Sequence, residues 1–464
     1  MDAEHRRSYI RGGCGVITVV QKSDLSIKKR NAKAALIITG GAITGGAYEV
    51  GGLKAFNDLL VNRDVTDFDI YIGLSAGAFL AAPLACGLTP EELLRSLDGK
   101  SDVLTQLSIF DLYRLNWQEM FLKPLGYLYD LITAAPRIAL DFLMSAISAD
   151  TNLAGAIWDF IRRPGYRSLD RLMQMIASMV MVSSSLPSLL ETIPSGIFDN
   201  SRIERYYRMN FRRNGWKNTF VDIYNRRKKA LYISAINLDL GERVVFGYDE
   251  NGSLLVSEAI QASTALPIFY KPARIRGVDY VDGGVYGCSG LDIAVKHGAS
   301  LIVWYNPFSP IRNEVVVRYI KELDEYVTDK RLLAERGLLI VLNQVFRTLL
   351  HTRLHAEIKH YEENIDFMGD IILIEPKPWD YGFFRMNPLA FWERVKAAEY
   401  GFASVKDDIE RDYSIIKKVL SSYGFETTML YLQQNAEKIE KSEGESSLDI
   451  LSREKLKKEI KVLF

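Results

Sequence analysis

The sequence has little of what builds disulfide scaffolds, metal sites or charged surfaces. Its 464 residues include three cysteines, Cys14, Cys86 and Cys288, which are widely spaced and form no C-x-x-C pair. A disulfide framework or a zinc ribbon is therefore not expected, and a reducing compartment is the default. Net charge is absent as well, because 58 lysines and arginines balance 58 aspartates and glutamates. We therefore expect no nucleic-acid partner, since such partners are bound through a basic surface.

The sequence also shows no pattern typical of a targeting segment or a membrane-spanning helix. No apolar segment follows the charged first seven residues, so we expect no secretory signal peptide and a cytoplasmic location. The longest uncharged run covers residues 172–190, but it contains Gln174, several serines and Pro187. These residues argue against a spanning helix and favour a buried helix or a lipid-facing flap.

What the chain does contain is the alternation of strands and helices that is typical of α/β proteins. The short continuous apolar run at 34–38 predicts a strand buried on both faces, and residues 68–72 predict a second strand. A predicted helix follows each of them. The same criteria predict further strands at 231–236, 243–246, 301–305 and 371–374, and long helices at 312–363 and 388–420. The predicted fold class is therefore α/β.

Composition and hydropathy pattern divide the chain into three parts. Residues 1–30 are polar and basic and are expected to form a tail, and residues 406–464 are expected to form a helical C-terminal extension. Between them, residues 31–405 form one predicted α/β domain with a helical insertion at 97–215. The insertion is rich in Leu, Met, Phe and Tyr. It is predicted to form a helical cap with its own core, which is compatible with a second prediction, that it lines an acyl-chain channel and contacts a bilayer.

The first chemical motif is Gly73-Leu74-Ser75-Ala76-Gly77, a G-x-S-x-G between a predicted strand and a predicted helix. This is the setting of a nucleophile elbow, in which a sharp turn exposes a serine hydroxyl. Gly73 and Gly77 allow the tight backbone, and the helix N-terminus supplies N–H groups for an oxyanion. The alternative is a turn that merely joins strand to helix.

A glycine-rich segment, residues 39–46, lies on the preceding strand-to-helix turn. Such a loop can direct several backbone N–H groups at one anion. A dinucleotide-binding loop is the competing interpretation, but Ala42 occupies the second glycine position of G-x-G-x-x-G, and no G-x-x-x-x-G-K-[ST] is present. An oxyanion-binding role is therefore favoured.

The third motif is Tyr280-Val281-Asp282-Gly283-Gly284. An aspartate at a strand end, followed by two flexible glycines, can approach another loop closely. An Asp that accepts directly from a serine hydroxyl can act as general base without an intervening histidine. In isolation, an ordinary Asp-Gly-Gly turn, which is common in proteins, is the favoured explanation of the segment.

In this order, the three motifs resemble the patatin-like phospholipase family, and segments 46–53, 233–241 and 262–267 resemble its first helix, central hairpin and helix-to-proline step. The resemblance implies a three-layer fold with a central, mostly parallel sheet. It also implies hydrolysis of lipid acyl esters, with Ser75 as nucleophile, Asp282 as base, and neither metal nor cofactor. The implied oxyanion hole comprises Gly40, Gly41, Ala42, Gly45 and Ala76. The chain departs from the family at Ala42 and Thr44, which replace a third glycine and a basic residue.

The histidines offer two alternatives. His297 follows Asp282 and could complete a Ser-Asp-His triad, but its position before Gly298 favours a helix-capping role. His351 and His355 are four residues apart on a predicted helix, with His360 nearby. No carboxylate obviously completes a metal site there, so a solvated helix face is the preferred interpretation.

The expected substrate is a phospholipid or another acyl lipid, cleaved through an acyl-serine intermediate. A neutral-lipid lipase, a thioesterase or a transacylase could use the same residues. A catalytically idle lipid-binding module is a further alternative, motivated by the altered glycine loop. Much of the aromatic and Met content lies in 107–181, outside the predicted sheet. Combined with zero net charge, this favours peripheral contact with zwitterionic lipid through apolar side chains.

Overall fold

The computed structural model describes residues 17–29, 31–147, 153–182, 192–285, 290–321, 324–364, 366–441 and 446–453. Cys14 and Cys288, residues 183–190 of the uncharged run, and parts of both predicted tails lie outside these residues. The described strands are β1 Ile17–Gln21, β2 Lys33–Ile38, β3 Ile70–Gly73, β4 Gly196–Phe198, β5 Ala230–Asn237, β6 Glu242–Phe246, β7 Ile268–Tyr270, β8 Ala273–Ile275, β9 Val278–Asp282, β10 Ala299–Tyr305, β11 Val317–Ile320, β12 Glu325–Thr328 and β13 Asp370–Ile374.

The helices connect and flank these strands. They are α1 Ala42–Leu59, α2 Ala76–Cys86, α3 Pro90–Leu97, α4 Ile109–Leu112, α5 Trp117–Ile147, α6 Leu153–Arg162, α7 Tyr166–Val182, α8 Ser201–Arg213, α9 Phe220–Arg227, α10 Val256–Ser263, α11 Leu291–Lys296, α12 Leu338–Glu363, α13 Tyr381–Phe384, α14 Arg394–Ser422, α15 Leu430–Lys441 and α16 Ser447–Leu451. Within the described part of the chain, no helix is long and apolar enough to span a bilayer.

The chain forms two compact units. The first comprises Met1–Arg114, Asn200–Pro267 and Pro272–Phe464, and the second comprises Leu115–Asp199 and Ile268–Lys271. The first unit contains a sheet of nine strands in the order β1-β13-β10-β2-β3-β5-β9-β8, with β6 paired to β5. Strands β13, β10, β2, β3 and β5 are mutually parallel, whereas β1, β6, β8 and β9 are antiparallel to their neighbours.

The parallel strands are buried on both faces, which is why their sequences are continuously apolar. Along β10, Leu301 and Val303 belong to the core on one face of the sheet, and Ile302 and Trp304 belong to the core on the other. Helices therefore cover both faces of a central, mostly parallel sheet. The predicted three-layer α/β fold is confirmed.

The second unit is mainly helical. It contains α5, α6 and α7 together with the short parallel pair of β4 and β7. The predicted insertion at 97–215 is wider than this unit, because its ends belong to the first one. Helix α8 illustrates the difference: Ile203, Tyr207 and Phe211 recur every fourth residue and pack into the core of the first unit.

Two segments differ from the sequence-based expectations. The predicted helix over 312–363 is wrong in its first part, because Val317–Ile320 and Glu325–Thr328 form an antiparallel hairpin before α12 begins. Its β-branched and aromatic residues favour strands over helix. The predicted tail over 1–30 contains a strand, since Ile17–Gln21 pairs with β13. Neighbouring basic residues obscured this alternating apolar pattern in the sequence.

The expected boundary between residues 405 and 406 falls inside one helix. Helix α14 crosses α1 at very short distance, and glycines at the crossing make this possible. A Cβ atom on Gly51 would lie 1.8 Å from the carbonyl oxygen of Ala398, and one on Gly401 would lie 2.0 Å from that of Tyr48. Helix α14 is therefore packed directly on the first helix of the sheet domain.

Candidate active site

Ser75 lies on the turn between β3 and α2, with φ 55° and ψ −134°. A non-glycine residue with positive φ stores strain, and such strain is typical of a nucleophile elbow. The flanking glycines are needed because the backbone is crowded. A Cβ on Gly77 would lie 1.9 Å from the carbonyl oxygen of Ile38, and one on Gly73 would lie 2.5 Å from the Cα of Ala78.

The serine hydroxyl has an acidic partner. Oγ of Ser75 donates to Oδ2 of Asp282 over 2.5 Å, and both residues are buried. The other carboxylate oxygen, Oδ1, accepts the backbone N–H of Gly284 over 2.8 Å. Gly283 allows β9 to end against β5, because a Cβ there would lie 2.2 Å from the carbonyl oxygen of Ser234. The structure thus brings together the serine and aspartate that the sequence analysis singled out.

Burial sets the electrostatics of this pair. It raises the pKa of Asp282 to about 7, although the hydrogen bonds from Ser75 and Gly284 favour the charged form. A carboxyl group that titrates near neutrality is suited to exchange a proton with a hydroxyl at physiological pH. This arrangement can support nucleophilic attack by Ser75 without a histidine between the two groups.

The glycine-rich loop between β2 and α1 lies against the elbow. A Cβ on Gly40 would lie 2.6 Å from the backbone nitrogen of Ala76. Gly40, Gly41 and Ala42 have φ values of 83°, 130° and 58°, so three consecutive residues are left-handed. Alanine adopts this region at a cost of about 1–2 kcal/mol. The loop therefore keeps a tight shape although its third residue is not glycine.

The loop N–H groups divide into two sets. Gly40 donates to Oε1 of Glu49 over 2.9 Å, and Gly45 donates to the carbonyl of Gly41 over 3.1 Å. These two donors, which the sequence analysis included in the oxyanion hole, are already engaged. The N–H groups of Gly41, Ala42 and Ala76 have no acceptor among the described residues. These three groups are the available donors of the glycine-rich loop and of the turn that carries Ser75.

Two further residues hold these loops in place, and neither was among the site residues predicted from sequence. The carboxyl of Glu49 is fully buried, and Oε1 accepts the N–H groups of Thr39 and Gly40. Burial raises the pKa of Glu49 well above its usual range, although the hydrogen bonds from Gly40 and Thr39 favour the charged form. Oγ of Ser263, at the end of α10, accepts the N–H of Ser75 over 2.9 Å. Glu49 is the single charged residue among residues 42–53, the first two thirds of α1, and this was the available signal for it.

The histidines lie elsewhere. His297 caps α11, and its Nε2 lies 3.0 Å from Oε1 of Glu250 while its ring stacks on Tyr232. This geometry places it in a capping position and not on the carboxylate of Asp282, which accepts hydrogen bonds from Ser75 and Gly284. Thr44, which replaces the basic loop residue, is buried and donates its N–H to the carbonyl of Pro388.

The sheet is mostly parallel, and a serine on its β3–α2 turn is hydrogen-bonded to an aspartate from β9, two strands away along the sheet. These features define an α/β protein of hydrolase architecture. The patatin-like phospholipase family model matches residues 36–295, more than half of the chain. The protein belongs to this family, which confirms the resemblance found in its motifs.

Individual relatives are distant. The chain is 22% identical over 149 residues to the probable lipid hydrolase 463L of Invertebrate iridescent virus 6, which is 31% of this chain and 51% of the viral protein. It thus spans about half the length of this curated relative. Among solved structures, it is similar to VipD from Legionella pneumophila, at 14% identity and a TM-score of 0.34 over 86% of this chain and 70% of VipD. It is also similar to the structure of ExoU in complex with SpcU from Pseudomonas aeruginosa, at 15% identity and a TM-score of 0.24. That similarity covers 87% of this chain and 63% of the matched chain.

Proposed function

We propose that the protein is a lipid acyl hydrolase of phospholipase A type, which cleaves acyl esters of glycerolipids with Ser75 as nucleophile and Asp282 as general base. The single observation that carries this proposal is the 2.5 Å hydrogen bond from Oγ of Ser75 to Oδ2 of Asp282. Membership of the patatin-like phospholipase family supports the choice of a lipid ester as substrate.

In the proposed reaction, Asp282 accepts the hydroxyl proton while Oγ of Ser75 attacks the ester carbonyl. The tetrahedral intermediate collapses by breaking the bond to the alcohol oxygen, and this leaving group takes the proton from Asp282. A water molecule then gives a proton to Asp282 and attacks the acyl-serine. The fatty acid departs, and the proton returns to Oγ of Ser75.

The oxyanion formed in both steps requires donors that the folded protein does not use elsewhere. We assign this role to the N–H groups of Gly41, Ala42 and Ala76, because Gly40 and Gly45 already have acceptors. Ala76 is the first residue of α2, where the helix N-terminus adds positive potential. Ala42 keeps its N–H despite replacing a glycine, so the altered loop retains its donor.

The second unit is the proposed lipid-contacting part of the chain. Its helix α5 exposes large apolar side chains; they are Trp117, Phe121, Leu122, Leu125, Leu128, Tyr129 and Ile132, each more than half exposed. Isolated apolar residues are normal on a surface, but a run of this size marks an interaction site. Since the chain has no net charge, we assign the contact to zwitterionic lipid.

Labelling with a fluorophosphonate probe tests the nucleophile, the base and the oxyanion donors together. We expect the wild-type protein to be labelled on Ser75 and Ser75→Ala to be unlabelled, with esterase turnover lower by about 10³-fold or more. Ser253→Ala is the matched control, because Ser253 is exposed and distant in sequence from the motifs. An unlabelled wild-type protein would favour the idle lipid-binding module.

The competing substrate classes require a panel. Phospholipid in micelles, triacylglycerol, an acyl thioester and an acyl acceptor alcohol should each be offered to wild-type protein and to Ser75→Ala. The proposal expects release of fatty acid from phospholipid to be the fastest Ser75-dependent reaction. Faster turnover of any other substrate would assign the site to a lipase, a thioesterase or a transacylase.

A further inference from the structure

A second cluster of reactive side chains lies between α12 and the end of β13. His351 and His355 are four residues apart and therefore share one face of α12. Their Nε2 atoms lie 3.0 Å apart. Glu375, which directly follows β13, places Oε1 3.7 Å from Nε2 of His351 and Oε2 3.3 Å from Nε2 of His355.

These separations match the spacing of ligands around one small cation. With bonds of about 2.0–2.1 Å, the ligand atoms of a tetrahedral zinc ion lie about 3.3 Å apart, within the range found here. Two histidines at i and i+4 on a helix, completed by a distant carboxylate, form a well-established type of zinc ligand set. Among the residues that the structure describes, the potential ligand atoms of these three side chains all lie within 4.8 Å of one another, close enough to bind one ion.

A buried asparagine orients the carboxylate of Glu375 through a hydrogen bond. Nδ2 of Asn306, a fully buried residue after β10, donates to Oε1 of Glu375 over 2.8 Å. Such outer hydrogen bonds orient ligating carboxylates in metal sites. The other side of the cluster is open, because the side chains of His351 and His355 are 29% and 41% exposed. An ion can therefore enter from solvent, and water can occupy a remaining position.

We propose that His351, His355 and Glu375 form a three-ligand site for Zn²⁺, with the fourth coordination position open to water. The site is separate from Ser75 and does not depend on the proposed hydrolysis. The solvated helix face expected from sequence does not account for the carboxylate of Glu375 that faces both imidazoles.

The site connects physically to the glycine-rich loop. Oδ1 of Asn306 accepts the hydroxyl of Thr39, the residue that begins this loop, over 3.2 Å. Glu375, Asn306 and Thr39 each follow a parallel strand, and these strands end in register with β3. At about 4.8 Å per strand, the carboxylate lies about 14 Å along the sheet edge from the elbow. A bound ion would therefore anchor one end of a row of hydrogen bonds that reaches the loop.

Zinc titration of the full chain tests the proposal directly. The protein is stripped with a chelator and dialysed, and Zn²⁺ alone is added in a calorimeter or against a chromophoric chelator. We expect one Zn²⁺ per chain for the wild type and for Ser75→Ala, so the result is independent of the proposed hydrolase activity. We also expect added Zn²⁺ to raise the melting temperature of both proteins.

Ligand variants locate the ion. His355→Gln and Glu375→Gln should each weaken binding by about 100-fold or more, given that outer partners alone are worth 10- to 100-fold. His360→Gln is the matched control, since His360 is exposed on the same helix and outside the cluster. The metal-free melting temperature of each variant shows that it is folded. Absence of stoichiometric binding by the wild type, or equal binding by folded His355→Gln, would overturn the proposal.

Discussion

Replacing Asp282 by asparagine should lower activity and raise stability, and these opposite effects separate the proposed chemistry from folding. Asparagine has the same shape and can still accept the N–H of Gly284 and meet Oγ of Ser75. It cannot take a proton. Loss of a general base costs about 10²- to 10⁴-fold in rate, which is about 2.7–5.5 kcal/mol in the barrier.

The pH profile of the wild type follows from the same group. Burial raises the pKa of Asp282 to about 7, and only the ionised carboxylate can accept the proton of Ser75. Turnover of a soluble ester should therefore rise with pH, with a midpoint near this pKa. From the fraction ionised, turnover at pH 8 should be about ten times that at pH 6.

Ionisation of Asp282 has the opposite effect on stability: it increases turnover but destabilises the folded protein. In the unfolded chain, Asp282 regains its ordinary pKa of 3.8, so between that value and about 7 the folded state binds more protons than the unfolded state. Stability contributed by this group is therefore greatest at low pH and falls as pH rises through this interval. The difference of about three pKa units corresponds to an upper value of about 4 kcal/mol at pH 8, and to less at pH 5.

Asparagine stays neutral, so Asp282→Asn should melt higher than the wild type at pH 8 and show a smaller gain at pH 5. The assays are thermal unfolding and hydrolysis of a short nitrophenyl ester by both proteins. His297→Ala is the control, because a catalytic histidine would also give a rise near neutral pH. Near-wild-type turnover of Asp282→Asn, or loss of the pH-dependent rise in His297→Ala, would refute the reasoning.

Two further predictions concern the loop and the exposed helix. Glu49→Ala leaves the buried N–H of Gly40 unpaired, at about 1–3 kcal/mol, and should lower both the melting temperature and turnover. Glu49→Gln should preserve both, because its amide oxygen can still accept from Gly40, and equal loss in both variants would contradict the role of Glu49 as an acceptor. Replacing Trp117 and Phe121 by glutamine should weaken binding to zwitterionic vesicles about tenfold or more and leave soluble-ester turnover unchanged. Trp392→Gln, which removes an equally exposed ring from the first unit, should change neither measurement.

Continuity of the apolar runs explains which parts of the fold could be predicted. The segments 34–38, 301–305 and 371–374 contain no polar residue, so they predict strands buried on both faces, and the structure has strands there. The hairpin formed by Val317–Ile320 and Glu325–Thr328 is largely exposed on both sides. With no buried face, it carries neither a strand period nor a helix period, so the predicted helix over 312–363 begins well before the actual helix at Leu338.

The candidate site also contains residues that a local sequence pattern identifies and residues that none identifies. Ser75 and Asp282 stand in local motifs whose glycines are required by close backbone approach, so the sequence alone singles them out. Ser263 and Glu375 have no local signature. They reach Ser75 and the histidines only because strand order places distant segments side by side, and strand order cannot be derived from periodicity.

The replacement of the third loop glycine by Ala42 is best understood from the neighbours of the loop. Gly40 admits no side chain because the backbone nitrogen of Ala76 is too close, and Gly41 has a φ of 130° that side chains rarely adopt. The backbone of Ala42 is less restrictive, because its φ of 58° lies in the left-handed region that alanine can adopt at a cost of about 1–2 kcal/mol. Thr39 is fixed to β10 through the carbonyl of Tyr305, and Glu49 accepts the N–H groups of Thr39 and Gly40. Because these contacts determine the path of the loop, alanine in the third position costs stability without removing the N–H that the proposed oxyanion hole needs.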